Sequence, residues 1–444
     1  MSDSPYRARR ERVIEQMRKA GGGVAILPTA PEVPRNRDSD FPYRHDSYFY
    51  YLSGFTEPDA VVVLDSRSGH STLFCRAKNE EREIWDGYRY GPEAARETFG
   101  FDAAYPIDEI DVRVPQLLAD APALFYALGT SAQQDRQVRH WLSAVRAQSR
   151  TGVSAPSAAH DIRTILDEMR LVKDSAELDI MARAGKISAD AHVRAMKVSR
   201  PGLREYHLEA ELLYEFRRNG SQFPAYGSIV ATGANATVLH YRAGDAELRD
   251  GELCLIDAAC ELDGYASDIT RTFPVNGKFT PAQRELYDIV LASQQAAIDA
   301  TRAGVRFDAP HEAAVRVLAQ GMLDTGLLKR DAVGSLDEVI ANKSFSRFYM
   351  HRTGHWIGMD VHDCGEYRED APDGQRPWRT LAANMVMTIE PGIYVRPAPD
   401  IDERYWNIGI RIEDDAIVTA NGCTLLTRDV PVDADEIEAL MRGR

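Results

Sequence analysis

Four carboxylates and one imidazole stand far apart in the second half of this chain, each in a setting that suits a metal ligand. They are Asp257 and Asp268 in LCLIDAACELDGYASDITRTF, His355 in MHRTGHWIGMDVHD, Glu390 in MVMTIEPGIY and Glu413 in GIRIEDD. Gathered in one place, they carry too much negative charge for a bare protein, and two divalent cations would neutralise it. A metal pair about 3.5–4 Å apart can hold a bridging hydroxide and attack an amide. The first reading is therefore a two-metal hydrolase.

The elements that must position these residues are partly legible. Glu252–Ala259 reads as an apolar strand and Tyr265–Phe273 as a second, with the hairpin signal Asp263-Gly264 between them. If those two residues are the centre of the turn, Leu262 opposes Tyr265 and Asp257 opposes Thr270. Side chains alternate along a strand, so Asp268 shares a face with Thr270 and is a diagonal neighbour of Asp257, with backbones roughly 7–8 Å apart. That span suits two carboxylates gripping the same metal pair. Met385–Ile389 is a short apolar strand that Pro391-Gly392 stops just after Glu390. In Ile408–Ile412 the isoleucines share one face, and Gly409, Arg411 and Glu413 share the other. An arginine beside a metal-binding carboxylate would hold it ionised and orient it.

Taken singly, each residue has an ordinary alternative. Asp257 could be a hairpin aspartate, although it follows LCLI in what reads as a buried strand, where a carboxylate needs a partner or a metal. Asp268 could face solvent, Glu390 could end a strand, and Glu413 could belong to an acidic turn. His351 and His355 are spaced to share one helix face, but no Glu follows His351, so this is not the HExxH zinc signature. The set carries the reading, not any one member.

The same stretches resemble a known family. From about Leu171 to Leu440 the chain is similar to the pita-bread metallopeptidases, most closely the aminopeptidase P family. The matching segments are LHY at Leu239–Tyr241, Leu255–Thr280, GHWIGMDVHD at Gly354–Asp363, TIEPGIY at Thr388–Tyr394 and GIRIEDD at Gly409–Asp415; FPYRHDSYFYYLSGFTEPDAVVVL, Phe41–Leu64, resembles the family's N-terminal domain. The resemblance implies Asp257, Asp268, His355, Glu390 and Glu413 as metal ligands, with Asp268 and Glu413 bridging. It implies His240, His351 and His362 as active-site histidines. Arg352 and Thr353 follow His351 where relatives often carry small or apolar residues.

The activity that the resemblance implies is release of the N-terminal residue from peptides with proline second. Glu390 would manage the proton of the hydroxide, His362 and His240 would donate to the carbonyl or the oxyanion, and His351 with Tyr394 would line the proline pocket. Two Mn²⁺ per chain suit a ligand set rich in oxygen, with Co²⁺ able to substitute. A homodimer or homotetramer is implied, with Trp85 in EIWDGYRYG reaching towards an adjoining subunit's active site or, alternatively, packed on a surface helix. Two other functions remain open. A prolidase, limited to Xaa-Pro dipeptides, would use the same metal site. A catalytically silent pita-bread module would bind peptides without metal, and intact ligand positions speak against it.

Composition and organisation agree with this reading. A chain of 444 residues accommodates two domains. The expected fold is α+β, with a mixed α/β N-terminal domain over residues 1–172 and a pita-bread catalytic domain over residues 173–444. VAILP, AVVVLD, STLFCRA and ALFYAL read as strands of the first; Asp161–Arg170 and Ser175–Arg200 read as helices at the junction. In the second, Ile187, Ala195, Arg200, Gly202 and Arg204 recur as Ile289, Ala297, Arg302, Gly304 and Arg306, each copy a helix ending at R-x-G-x-R before another helix. That hints at a duplicated half. Ala371–Arg379 reads as a surface loop. A net charge of −15 argues against nucleic acid or an anionic membrane as partner. Five scattered cysteines suggest reduced thiols in a cytoplasm. The N-terminus is charged and helix-like without the apolar core of a signal peptide, and no run approaches the roughly 20 apolar residues of a membrane span.

Overall fold

Val24–Pro28 and Val61–Asp65 are short apolar runs with almost every residue buried, as strands covered on both faces require. They form the middle of a six-stranded sheet in the order Ala103–Pro106, His70–Cys75, Val61–Asp65, Val24–Pro28, Ala123–Phe125, Ala158–His160. Val24–Pro28 pairs antiparallel with Val61–Asp65 and parallel with Ala123–Phe125, so the sheet is mixed. The two edge strands, Ala103–Pro106 and Ala158–His160, carry too few large apolar residues to be read from sequence. Helices Ile110–Leu118 and Ala132–Arg146 pack Val114, Leu118, Val138, Trp141 and Val145 into a core with the sheet. The structure, a computed structural model, describes residues 5–443. It divides into two units, the first ending at Glu168 and the second beginning at Met169. Among the described residues no helix is long and apolar enough to cross a membrane.

The second unit is built from two similar halves. In the first, helix Ser175–Val198 leads through a turn into helix Glu205–Arg218; in the second, helix Pro281–Ala300 leads into helix Ala309–Asp324. The turns are alike. Gly202 and Gly304 have φ of +88° and +87°, values that glycine adopts without strain. Their N–H groups donate to Leu248 and Leu381 carbonyls at 2.9 and 2.8 Å, and Arg204 and Arg306 then form isolated bridges with Glu247 and Thr380. Each half also supplies a three-stranded antiparallel sheet. One runs Ile229–Thr232, Leu253–Asp257, Thr270–Pro274; the other runs Val386–Ile389, Asp414–Val418, Cys423–Leu425. The repeat hinted at by five identities is therefore structural. A mixed α/β unit followed by a duplicated pita-bread unit is the fold class the sequence suggested.

Candidate metal centre

The hairpin that carries two of the acids keeps the expected register. Leu262 pairs with Tyr265 and Asp257 with Thr270. Asp263 and Gly264 both have positive φ, +50° and +81°, the requirement of a type I′ turn. The strands are not continuous, however. The ladder runs Leu253–Asp257 against Thr270–Pro274, stops, and resumes as Cys260–Leu262 against Tyr265–Ala266. Asp268 sits in the interruption, where its N–H donates to the Asp415 carboxylate at 2.9 Å. The ladder gives way where the two acids must turn inward.

The remaining acids lie where strands end. Val386–Ile389 stops at Glu390, and Pro391 leads into a second strand, Gly392–Val395, in a different sheet, paired with Ile408–Arg411. Glu413 comes just after that strand. Its carboxylate accepts the Thr270 hydroxyl at 2.6 Å, and the same hydroxyl oxygen accepts Arg411 Nε at 3.1 Å. Arg411 and Glu413 thus share a face, as expected. The carboxylate that Arg411 grips is Asp257, at 2.6 Å. His351 and His355 are not on a helix; the chain from His351 to Gly365 forms no helix and is held by specific contacts. Thr388 N–H donates to the His355 carbonyl and Glu390 N–H to the Thr353 carbonyl, at 2.9 and 2.8 Å.

These elements bring Asp257, Asp268, His355, Glu390 and Glu413 onto the wall of one cleft of about 640 Å³, with His240, His351, His362 and Arg411 also lining it. His355 Nε2 lies 3.4 Å from Asp268 and 3.8 Å from Glu390. Ligand atoms of Asp268, His355 and Glu413 all fall within 4.8 Å of one another.

The electrostatics are those of a cation site. Burial, followed by the neighbouring carboxylates Asp268 and Asp257, opposes ionisation of Glu390 and raises it to about 7 despite His355 and Arg411. Burial also raises Asp268 and Glu413, again with nearby acids adding to the effect. Burial alone would lower His355, but Asp268 and Glu390 outweigh it and lift the imidazole to about 9. His355 Nδ1 donates to the Trp356 carbonyl at 2.9 Å, which turns Nε2 towards the acids, where it needs a proton or a cation. Tyr226 OH lies 2.5 Å from Asp257 and 2.6 Å from Asp268, yet has one proton to give. Buried carboxylates that oppose one another's ionisation, with one imidazole lone pair aimed among them, fit divalent cations.

The histidines differ in setting. Burial first, then Arg411, pushes His351 down to about 3, so it is neutral. Its Nδ1 donates to the Arg352 carbonyl at 2.8 Å and its Nε2 accepts Tyr394 OH at 2.8 Å, while Tyr394 accepts Arg411 Nη1 at 2.9 Å. His362 stacks against His355 with ring centroids 4.1 Å apart, and burial followed by His355 and His240 lowers it. His240 is exposed on the cleft wall. Trp85 does not line this cleft. It is 80% exposed on helix Glu80–Asp86, which buries no residue, and so is not the packed tryptophan that one reading allowed.

Sequence reasoning missed Tyr226 and Thr270, whose hydroxyls touch the acids. The hairpin register places Thr270 opposite Asp257, but its bond to Glu413 depends on the distant strand, and Tyr226 carries no motif. It also missed Trp378, which leaves the surface loop to line the cleft.

Comparison with known proteins bears on this geometry. Residues 179–420 match Metallopeptidase family M24 and residues 6–126 match the Aminopeptidase P N-terminal domain. The chain is 44% identical to a Xaa-Pro aminopeptidase of Escherichia coli (strain K12), covering 99% of this chain and 98% of that one. It superposes on the structure of Pseudomonas aeruginosa aminopeptidase PepP with a TM-score of 0.95 at 48% identity, covering 100% and 99% of the two chains. It superposes on zinc-substituted Escherichia coli aminopeptidase P in complex with product with a TM-score of 0.93 at 44% identity, again over 100% and 99%.

Proposed function

Because the chain belongs to metallopeptidase family M24 and begins with an aminopeptidase P N-terminal domain, we propose that it is a metal-dependent Xaa-Pro aminopeptidase, freeing the residue that precedes proline at a peptide's N-terminus. The observation that carries this reading is the gathering of four carboxylates and His355 in one cleft, where burial and neighbouring acids oppose the ionisation of Asp268, Glu390 and Glu413. Asp257, Asp268, His355, Glu390 and Glu413 are the residues that would hold two divalent cations. A set of four carboxylates and one imidazole favours hard cations, so Mn²⁺ is the proposed metal and Co²⁺ a substitute. Such a pair supplies a hydroxide nucleophile at neutral pH and a Lewis acid for the scissile carbonyl.

The chain's own groups do the rest. Glu390 receives the water's proton and returns it to the departing proline nitrogen. His362 and His240 donate to the carbonyl oxygen as it gains charge. Neutral His351 forms the wall against which the proline ring rests; Tyr394, expected to share that wall, is buried at 2% exposure behind His351 and orients it through its hydroxyl, and Arg411 fixes both Tyr394 and Asp257. Preference for proline stems from a site that accepts a tertiary amide with no N–H and a fixed ring. A homodimer or homotetramer is proposed, with the exposed Trp85 as the residue to watch at a subunit contact. A cytoplasmic setting is in keeping with five free cysteines.

Assay of the purified protein on Xaa-Pro-Xaa, Xaa-Ala-Xaa and Xaa-Pro peptides tests the reading. Chelation should abolish release and Mn²⁺ restore it, with the Ala peptide poorly cleaved. Full activity after complete metal removal would sink it, and activity confined to dipeptides would make the protein a prolidase.

A further inference from the structure

Arg352 lies between two residues turned into the site. His351 bonds Tyr394, while Thr353 accepts Glu390 N–H on its carbonyl and meets His311 Nδ1 and Tyr349 OH at 2.8 and 2.7 Å. Both neighbours being fixed inward, Arg352 is the exposed member of the three, yet it lines the cleft. Its guanidinium lies over the Trp378 ring, 4.4 Å from the centroid, and Arg368 lies over the same ring at 3.9 Å. The platform is anchored. Trp378 packs on Phe307, which meets the buried Trp356 at 4.6 Å and Tyr367 at 4.9 Å, and an isolated bridge ties Trp378 to Arg368.

Two guanidinium groups against one ring at the edge of an acidic cleft lack an anionic partner. The acids nearest in sequence are already engaged: Glu366 with Arg376 at 3.2 Å, Glu369 with Arg306 at 2.9 Å, and Asp370 with Arg376 at 3.1 Å. Among the described residues no carboxylate forms an ion pair with Arg352 or Arg368. Stacking on an aromatic face holds an arginine in place while leaving N–H groups for a carboxylate; Arg368 spends Nη1 on the Arg376 carbonyl at 2.9 Å, which fixes it further and leaves its other N–H groups to an anion.

We propose that Arg352 and Arg368, held on Trp378, form a subsite that reads a carboxylate just beyond the proline of the substrate. This rests on the aminopeptidase reading above. A peptide whose scissile bond lies at the acids and whose proline rests on His351 next passes Arg352, the adjoining residue of the chain. The anion there is either the C-terminus of a tripeptide or an Asp or Glu side chain at the third position. The first would make the enzyme favour the shortest peptides; the second would make it favour acidic ones of any length.

The test compares kcat/KM on Xaa-Pro-Ala as free acid and as C-terminal amide, and on amidated Xaa-Pro-Asp and Xaa-Pro-Asn. Wild-type enzyme should favour the charged member of at least one pair by about two- to fivefold, the upper part of the range of an exposed ion pair, and less at high salt. The pair that shows the preference identifies the source of the carboxylate. In Arg352→Gln and Arg368→Gln the ratio should fall towards one, with KM moving more than kcat, and Arg352→Lys should recover part of it. Equal wild-type rates within both pairs would overturn the subsite. So would an equal loss on charged and neutral peptides in Arg352→Gln, which marks a latch on Trp378 rather than a reader of charge. Failure of wild-type enzyme to cleave any Xaa-Pro peptide would instead remove the aminopeptidase reading itself.

Discussion

Replacing Arg411 with Met isolates the value of an arginine buried beside the proposed metal ligands. The side chain is 5% exposed and makes three bonds: to Asp257 at 2.6 Å, to Tyr394 OH at 2.9 Å and to Thr270 Oγ1 at 3.1 Å. Met fills similar volume without charge, so the main effect is a buried Asp257 carboxylate facing Asp268, Glu390 and Glu413 alone. Breaking a buried pair from one side costs about 3–5 kcal/mol. Asp257 is 13% exposed and keeps the Tyr226 hydroxyl at 2.5 Å, which sets the expected loss near the lower end, about 3 kcal/mol. At about 2–4 °C per kcal/mol for a unit of this size, chelator-treated Arg411→Met should melt about 6–12 °C below chelator-treated wild type at pH 8. Arg411→Lys, which keeps the charge but not the three-pronged geometry, should fall between. The deficit should shrink at pH 5, where Glu390, raised to about 7, already carries its proton. Calorimetry on the metal-free proteins reads this directly. An unchanged melting temperature at pH 8 would refute the claim that Arg411 offsets the mutual repulsion of these acids.

Four further outcomes are expected from the same geometry. Glu390, Asp268 and Glu413 have folded-state pKa values raised above the unfolded ones, so the metal-free fold binds more protons than the unfolded chain. The stability these groups contribute is therefore present below the ordinary carboxylate range and lost as pH rises through about 7, and thermal melts with and without Mn²⁺ from pH 5.5 to 8.5 should diverge as pH rises. Tyr226→Phe should weaken Mn²⁺ binding by about 10–100-fold in titration calorimetry, since it removes the hydroxyl that orients two ligands. Asp363→Asn should destabilise by about 3–5 kcal/mol in urea unfolding, because Asp363 accepts Arg170 and Lys173 at 2.6 and 3.0 Å and all three side chains are 1% exposed. Asp363 is desolvated but held low by Lys173 and Arg170, so that part of the stability is lost as pH falls. Gly354→Ala should lower both melting temperature and metal affinity, because a Cβ there would lie 2.1 Å from the Thr388 carbonyl oxygen beside His355; a normal affinity would show that the loop yields freely.

Much of the site was legible because it is written in short-range terms. Asp263-Gly264 specifies its turn through backbone conformation alone, and parity then places Asp257 opposite Thr270 without any knowledge of the rest of the fold. The isoleucine alternation around Arg411 is equally local. What could not be read depends on contacts between distant segments. Arg411 takes Asp257 rather than the Glu413 two residues on, because the hairpin of the first half meets the strand of the second. Asp268 leaves the ladder because Asp415, far along the chain, accepts its N–H. The spacing of His351 and His355 suited a helix, yet that stretch takes a path set by contacts with Thr388 and Glu390. Ala103–Pro106 and Ala158–His160 become strands because a sheet edge is offered to them, not because their residues demand it.

The hairpin between Asp257 and Thr270 also limits how this stretch of gene can change in length. Its turn has two residues and its ladder pairs the strands one to one. A single codon inserted or deleted between Asp257 and Asp268 forces either a bulge or a slip, and a slip sends one of the two carboxylates to the opposite face. A matched addition, one residue on each side of Asp263-Gly264, lengthens the tip and leaves the base as it was. Length variation here is therefore expected in even steps and at the tip.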